Sequence, residues 1–312
     1  MTISKTPTKD MGMEAWRAER KKGIGGSDAA AIVGLNSWST PYSVWAEKTG
    51  QLPEKEETEA MRQGRDFEDY VARRWTEATG KKVKRVNAIL HNDAYPFALA
   101  NIDRWVVGEN AGLECKTTSI MNLKNFKGGE FPASYYTQCV HYMAVTGADR
   151  WYLAVLVLNQ GFYEFVIERE EDEIAALMAA EAEFWKLVES DTPPAPDGLD
   201  PTGEAIETIY ADDGGGAIDL FGRDKLLDEY NQLQADIKEL ETRKDTIKQT
   251  IQLDLGDHDT GVCGSYKVTW RNQSRTSFDH KDYAANHPEA DLSDYYKTTV
   301  SRVFKVTRQK GA

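Results

Sequence analysis

The chain has 312 residues, which is enough for one large domain with an appendage or for two modest domains. Its three cysteines are widely scattered and its five histidines lack metal-ligand spacing, which excludes a disulfide framework and a paired-cysteine zinc site. No run approaches the roughly 20 apolar residues of a membrane-spanning helix, and the N-terminus has no apolar secretory signal, so we expect a cytoplasmic protein without membrane contacts.

The net charge of −13 is distributed unevenly along the chain. Residues 1–160 carry a net charge of +2, residues 161–261 carry −19, and residues 262–312 carry +4. Basic clusters occur at residues 20–22 and 81–85. Such clusters bind phosphates when they share one face of the protein and are ordinary solvated charges when they do not. The acidic total therefore does not exclude nucleic acid as a partner.

Helices and strands alternate over residues 1–190, which we interpret as one domain. A glycine-rich turn ends at Ser27 and Asp28, either of which is suited to cap the apolar helix that follows. Apolar periodicity predicts further helices over residues 41–49, 57–79, 134–146 and 170–189, and strands over residues 83–90, 98–107, 113–117, 151–158 and 162–167. The turn at residues 108–112 predicts that the second and third strands form a hairpin.

The composition changes in the C-terminal third. Residues 191–218 are rich in proline, glycine and aspartate, which predicts a linker or a long loop. In the remaining segment, residues 219–312, apolar residues recur at alternating spacings of four and three, with Lys244 interrupting them, as in a coiled coil. They are Leu226, Tyr230, Leu233, Ile237, Leu240, Ile247 and Ile251. Strand-like runs at 265–271 and 300–306 complete a β-rich tail. This segment could bind a partner, extend an oligomer or pack as a small subdomain, and packing is the preferred interpretation.

Two carboxylates and an amine are predicted to meet on the hairpin. Asp103 lies eleven residues before Glu114, so paired strands would place them side by side, and Glu114 and Lys116 share a face because strand side chains alternate. Carboxylate oxygens are the ligands that Mg²⁺ prefers, and the backbone carbonyl of Cys115 offers another oxygen. Lys116 would then hold or deprotonate an attacking water, or stabilise charge on phosphorus.

A third carboxylate, Glu68, lies on the helix predicted over residues 57–79. From above the sheet it could complete a site for two metals roughly 3.5–4 Å apart, one activating water and one holding the leaving oxygen. The alternative is that an aspartate and a Glu-x-Lys on neighbouring strands form an ordinary surface charge pattern. These residues alone leave both interpretations open.

The glycine-rich turn extends into a longer motif. Residues 23–35 read Gly-Ile-Gly-Gly-Ser-Asp-Ala-Ala-Ala-Ile-Val-Gly-Leu and are followed by Trp38 and Trp45. This stretch resembles the opening motif of the YqaJ-like viral recombinase family, which is similar to lambda phage exonuclease and belongs to the PD-(D/E)xK nucleases. The resemblance covers about residues 14–190. It implies an α/β fold, namely a restriction-endonuclease-like core with a central mixed sheet flanked by helices. The C-terminal coiled-coil and β segment would be an appendage to this core.

The resemblance also implies roles for individual residues. The catalytic residues would be Glu68, Asp103, Glu114, Lys116 and Gln138, and the metal ligands would be Glu68, Asp103, Glu114 and the backbone carbonyl of Cys115. Asp93 and Tyr135 match supporting positions. Arg20 and Ser27 match residues that grip a terminal 5′-phosphate, a role that close-approaching glycine amides would assist. Trp38 and Trp45 are expected in the core, although an aromatic side chain could wedge against the terminal base pair.

The function implied is 5′-to-3′ degradation of double-stranded DNA ends in phage-type recombination. The enzyme would be a Mg²⁺-dependent deoxyribonuclease in which Mn²⁺ can substitute. The resemblance further implies a homo-oligomer, a ring of three subunits around DNA, and a single-strand annealing protein is a possible partner. Two alternatives remain: a structure-selective DNA endonuclease on the same fold, and a non-catalytic DNA-end-binding scaffold. The presence of all four core residues argues against the scaffold.

Overall fold

The chain divides into two units, Met1–Tyr210 and Ala211–Ala312. A five-stranded mixed sheet forms the centre of the first unit. The computed structural model describes residues 2–54 and 56–307. In the first unit the strands are β1 (Ile3–Pro7), β2 (Val83–Arg85), β3 (Ala88–Asn92), β4 (Tyr95–Ala100), β5 (Arg104–Val106), β6 (Ala111–Thr118), β7 (Arg150–Val157) and β8 (Gly161–Glu168). The helices are α1 (Met13–Lys21), α2 (Gly26–Ile32), α3 (Pro41–Lys48), α4 (Glu59–Thr79), α5 (Ala133–Thr146), α6 (Glu171–Glu189) and α7 (Asp200–Ile209).

The central sheet has the strand order β2-β5-β6-β7-β8. Strands β6 and β7 are parallel, and the chain between them passes through the 3₁₀ segment Ile120–Gly129 and α5, while the other pairs are antiparallel. Because strand side chains alternate, the sheet buries two faces. On one face Trp75 of α4 packs in a cluster with Leu113, and on the other Met143 of α5 packs in a cluster with Leu153. The expected mixed sheet flanked by helices is therefore present.

Helix α4 ends at the predicted residue and begins two residues after the predicted start. The Thr58 side chain accepts a hydrogen bond from the backbone N–H of Met61 at 3.3 Å, which caps the first turn. Gly80 ends the helix in the left-handed conformation at φ +72°, which glycine adopts without a steric cost. Between these ends, Val71, Ala72 and Trp75 are buried on the sheet.

Two of the predicted strands are each divided between two sheets. The run predicted over residues 83–90 becomes β2 in the central sheet and β3 in a second, antiparallel sheet of order β1-β3-β4. The run predicted over residues 98–107 becomes β4 in the second sheet and β5 in the central sheet. The chain thus changes sheet at residues 101–103, and Asp103 lies at that break.

The segment predicted to be a linker or a long loop, residues 191–218, contains helix α7. Pro201 occupies its first turn, which suits a residue with a fixed φ and no N–H. Ala205, Ile206 and Ile209 fall on one helical face and pack in a cluster with Trp45 of α3. A short amphipathic helix therefore occupies part of the stretch predicted as a linker or long loop, and Pro201 and Gly203 lie in its first four residues.

The second unit contains helix α8 (Asp224–Leu255), the hairpin of β9 (Thr260–Cys263) and β10 (Tyr266–Thr269), and helix α9 (His280–Asn286). The strand-like run at 265–271 is represented by β10. The run at 300–306, predicted as a strand, forms no strand pairing with any described residue, so that prediction was wrong. No helix of the described residues is long and apolar enough to cross a membrane.

Candidate active site

Asp103 and Glu114 stand opposite each other where β5 begins. The antiparallel register pairs Arg104 with Leu113, and its continuation by one residue sets Asp103 against Glu114. The backbone N–H of Cys115 donates a hydrogen bond to Oδ2 of Asp103 at 2.8 Å, which holds the aspartate against β6. The hairpin therefore brings together two acidic residues that the sequence separates by a turn.

Glu114, Lys116 and Gln138 form a closed hydrogen-bonded triangle. Lys116 Nζ donates to Oε1 of Glu114 at 2.8 Å and to Oε1 of Gln138 at 2.7 Å. Gln138 Nε2, from α5, donates to the same Glu114 oxygen at 2.7 Å and lies 2.9 Å from the hydroxyl of Tyr142. The ammonium also lies 5.2 Å from the ring centre of Tyr135, within range of a cation–π contact. The triangle fixes the amine beside one carboxylate oxygen.

The carboxylates of this cluster are buried with too little positive charge beside them. Glu114 is only 3% exposed, and its Oε2 is buried without a hydrogen-bond partner among the described residues. Burial, followed by the charges of Glu114 and Glu68, raises the pKa of Asp103 well above its ordinary value. Burial opposes the charge on Lys116, but Glu114 outweighs it and raises the pKa of Lys116, so the amine remains an ammonium. Buried carboxylates with an unsatisfied oxygen are costly unless a cation accompanies them.

Glu68 faces the same region but is engaged elsewhere. It forms an ion pair with Arg104, whose guanidinium also donates to the backbone carbonyl of Asp103 at 2.6 Å. Glu68 and Asp103 line one cavity of about 160 Å³ together with Asn101. Within residues 2–54 and 56–307, no three acidic, histidine or cysteine side chains are placed closely enough to hold a metal ion. Asp103 and Glu114 are thus brought together, and Glu68 lies at the rim of their site.

The donor set nevertheless suits a divalent cation. The orphaned Oε2 of Glu114 and the raised pKa of Asp103 both mark a site that lacks positive charge. The available donors are carboxylate oxygens and the carbonyl of Cys115, which are hard ligands of the kind that Mg²⁺ and Mn²⁺ accept. The residues present therefore fit such an ion.

Arg20 and Ser27 meet at the start of α2. Arg20 donates to the Ser27 hydroxyl at 2.8 Å, and its guanidinium lies 4.9 Å from the ring centre of Trp16. The neighbouring Asp28 carboxylate accepts from the backbone N–H of Gly25 at 2.9 Å and pairs with the Lys48 ammonium at 2.7 Å. Burial would raise the pKa of Asp28, but Lys48 and Arg20 outweigh it, so the pKa is lowered and the carboxylate stays charged. The turn carrying Ser27 is consequently held rigidly.

This turn packs directly against the carboxylate site. A Cβ atom placed on Gly26 would lie 2.5 Å from the Tyr142 ring and 3.0 Å from Cγ of Gln138. Glycine is therefore required for α2 to approach α5 this closely. Since Gln138 bonds Glu114, the start of α2 lies next to the residues that surround the carboxylates.

Two expectations about individual residues are wrong. Asp93 lies exposed in the turn between β3 and β4, at the opposite end of β4 from Asp103. A six-residue strand rising about 3.3 Å per residue separates them, so Asp93 does not support the carboxylate site. Trp38, expected in the core, is 87% exposed in the loop between α2 and α3, whereas Trp45 is buried as expected.

Sequence reasoning missed Arg104 and Lys48. Arg104 follows Asp103 directly, and adjacency to a carboxylate was its only sequence signal. Lys48 pairs with a residue twenty positions earlier, and nothing in the spacing marks that contact. Arg104 forms an ion pair with Glu68, and Lys48 forms one with Asp28; both contacts join residues that lie far apart in the sequence.

Comparisons with known proteins identify the family of the chain and a solved structure of similar fold. Residues 15–149 match the family model described as YqaJ-like viral recombinase domain. The chain is 38% identical over 286 residues to the uncharacterized protein YqaJ of Bacillus subtilis (strain 168), covering 90% of each chain. The solved alkaline exonuclease LHK-Exo of Laribacter hongkongensis has a TM-score of 0.50 at 20% identity, covering 57% of this chain and 94% of that one, which is a similarity of fold. A phage-related exonuclease from Haemophilus somnus 129PT matches more weakly, with a TM-score of 0.42 at 13% identity over 56% of this chain and 99% of that one. The extent and identity of the YqaJ match show that the chain belongs to the YqaJ-like viral recombinase family.

Proposed function

We propose that the chain is a Mg²⁺-dependent exonuclease that degrades double-stranded DNA from its 5′ ends, with a PD-(D/E)xK site. The observation that carries the proposal is the cluster of Asp103, Glu114, Lys116 and Gln138, in which a buried carboxylate oxygen lacks a partner. Family membership and the exonuclease-like fold support the same reaction class.

Asp103, Glu114 and the Cys115 carbonyl would hold the metal, and Glu68 is the candidate to join them from α4 for a two-metal mechanism. The chemistry that divalent ions supply in such sites is polarisation of the phosphodiester and activation of the attacking water. Mn²⁺ offers the same ligand preference and would substitute.

Lys116 would act as a hydrogen-bond donor rather than as a base. Its raised pKa keeps it protonated, and two of its three N–H groups are committed to Glu114 and Gln138. The third would be available to the attacking water or to a phosphate oxygen as negative charge develops there. Gln138 holds both neighbours in position.

Arg20 and Ser27 would bind the terminal 5′-phosphate. A guanidinium and a hydroxyl 2.8 Å apart supply charge-assisted donors to one anion. Trp38, exposed in the loop after α2, is suited to stack on the terminal base pair. This arrangement would favour DNA ends over continuous duplex.

A basic cleft adjoins the site and would contact the DNA backbone. Its volume is about 540 Å³. Four cationic residues line it, Arg73, Lys82, Arg85 and Arg104, against two acidic ones, Asp69 and Glu77, and Asp69 pairs with Arg85 and Arg104. Arg85 and Arg104 also line the cavity beside Asp103, so the cleft leads to the carboxylates. A homo-oligomeric ring of three subunits, as the family resemblance implies, would retain the duplex by topology, and a single-strand annealing protein would receive the product strand.

The test is digestion of end-labelled linear duplex, with nicked and closed circles alongside, in Mg²⁺, Mn²⁺ or chelator. We expect metal-dependent loss of linear DNA alone, with mononucleotides released from the 5′ end. Cutting of closed circles would instead identify an endonuclease, and binding without cutting would identify a scaffold. Release from the 3′ end would contradict the proposed polarity.

Ser27→Ala tests the end recognition separately. We expect its rate to fall on 5′-phosphorylated ends and to change little on 5′-hydroxyl ends. Ser37→Ala, in the loop after α2, is the matched control. An equal loss on both kinds of end would contradict the phosphate contact.

A further inference from the structure

Helix α8 carries an apolar stripe that the second unit leaves mostly open to solvent, apart from Tyr230, whose ring centre lies 5.6 Å from that of Phe304 in the tail. Five residues of the stripe are between 53 and 62% exposed: Leu226, Leu233, Ile237, Leu240 and Ile247. They belong to the alternating four-and-three pattern, which continues over residues 226–251. At 1.5 Å per residue this stripe is about 39 Å long. An open apolar surface of that length marks an interface.

The side chains in the pattern are those of a two-helix coiled coil. In heptad terms the d positions are Leu226, Leu233, Leu240 and Ile247, and the a positions are Tyr230, Ile237, Lys244 and Ile251. In parallel coiled coils, β-branched residues at a and leucine at d favour two helices. A single lysine at a specifies the register and the number of helices, and charges at e and g set their orientation. The partner that best fits such a seam is another helix with the same pattern, and a second copy of this chain provides it.

Charge decides the orientation of the two helices. In a parallel pair Asp236 would face Glu241 of the second copy, Arg243 would face Lys248, and the two Lys244 side chains would meet. Each of these contacts is repulsive, and the first two occur twice. A parallel pair is therefore disfavoured.

An antiparallel pair reverses the sign of these contacts. When Ile237 packs against Leu240 of the second copy, every apolar a position meets an apolar d position. Asp236 then flanks Arg243 and Lys244 of the other helix, and two-fold symmetry repeats the contact. The lysine that interrupts the apolar stripe thereby acquires a carboxylate partner.

We propose that α8 is a homodimerisation element that pairs with α8 of a second copy as an antiparallel coiled coil. This interface joins two chains through the second unit. It is independent of the nuclease chemistry proposed for the first unit and would persist if that proposal failed.

A charge exchange in the full-length chain tests the orientation. Asp236→Arg places an arginine opposite Arg243 of the second copy, so self-association measured by sedimentation equilibrium at low salt should weaken about fivefold to tenfold. Adding Arg243→Asp restores the opposite charges and should restore the affinity. A parallel pair would instead be strengthened by Asp236→Arg, because the new arginine would face Glu241, and that result would overturn the proposal.

A second pair of variants tests the seam itself. Leu240→Glu puts a carboxylate into the stripe and should halve the mass of the assembly, from two chains to one or, with the proposed ring, from two rings of three to one. Ala235→Glu adds the same charge on the opposite face of α8 and should leave the mass unchanged. Circular dichroism establishes that both variants keep their helix content. An unchanged mass for Leu240→Glu would refute the dimer. A wild-type chain that does not self-associate through α8, because its own tail covers the stripe, would refute it as well. If Leu240→Glu fails to fold, the charge exchange still decides.

Discussion

Replacing Lys116 with methionine removes the only cation among the described residues that bonds Glu114, and it tests the centre of the proposed site. Methionine keeps the apolar length of the side chain but deletes hydrogen bonds of 2.8 Å to Glu114 and 2.7 Å to Gln138. Glu114 would retain only the Gln138 amide on Oε1, with Oε2 still unpaired. The variant therefore leaves a buried carboxylate without a counter-charge.

The expected loss of stability follows from that geometry. Breaking a buried ion pair by removing one partner costs about 3–5 kcal/mol. The Lys116 side chain is 23% exposed, so water screens part of the interaction and we expect the lower end, about 3 kcal/mol, in metal-free protein. Adding Glu114→Gln removes both charges and should recover most of the unfolding free energy. Lys124→Met, at an exposed lysine, is the control and should change little.

The expected loss of activity is separate from stability. Removing one donor to a developing oxyanion typically lowers the rate about 10²–10³-fold. The measurements are single-turnover cleavage of labelled duplex and anisotropy of the same duplex in Ca²⁺, where DNA affinity should be nearly unchanged. A normal cleavage rate for Lys116→Met would refute the donor role. Equal destabilisation of the single and double variants would refute the pairing with Glu114.

Three further predictions concern folding and DNA binding. Burial opposes the charge on His141, but Glu181 at 2.8 Å outweighs burial and raises the pKa of His141. The contribution of this pair to the free energy of unfolding is therefore fully present below the ordinary pKa of 6.5 and is lost as pH rises through the folded-state pKa. Urea unfolding from pH 6 to 9 should show that decline in the wild type and not in Glu181→Gln. Gly112→Ala would place a Cβ 2.2 Å from the Trp151 ring, and overpacking should cost about 1–3 kcal/mol in the same assay, so unchanged stability would contradict the close packing. Lys82→Ala should weaken duplex binding and reduce the slope of log affinity against log salt by about 0.9, and an unchanged slope would exclude a phosphate contact.

Local patterns were sufficient for the elements whose caps and periodicity agree. Helix α4 could be placed because its apolar residues recur at helical spacing and Gly80 ends it, and α5 because Gly147 ends it at φ +68°. The hairpin register could be inferred because the turn at 108–112 leaves few pairings. The same alternation of strand side chains put Glu114 and Lys116 on one face.

Features that depend on contacts distant in sequence could not be predicted. The division of residues 83–90 and 98–107 between two sheets depends on the pairing of β3 with β1. That pairing could not be expected, because the residues near the N-terminus are polar and do not have the pattern of a strand. The engagement of Glu68 by Arg104 and the rigid Asp28–Lys48 pair depend on packing between elements. Asp93 was misplaced because a match by spacing ignores the extended strand that separates it from Asp103.

The balance of charge around Asp103 argues that this region is retained for function rather than for folding. Glu68, Asp103 and Glu114 are three acidic groups, and the cations that contact them are Arg104 and Lys116, which leaves one negative charge without compensation. Elsewhere in the described core, Glu181 also has one buried oxygen without a hydrogen-bond partner, and burial raises its pKa, but its other oxygen lies 2.8 Å from His141, which can carry the opposite charge. Selection for stability alone would replace a carboxylate that burial and repulsion both disfavour. A protein that keeps such a group departs from local rules where chemistry requires it, and a divalent cation is the ligand that would supply the missing positive charge here.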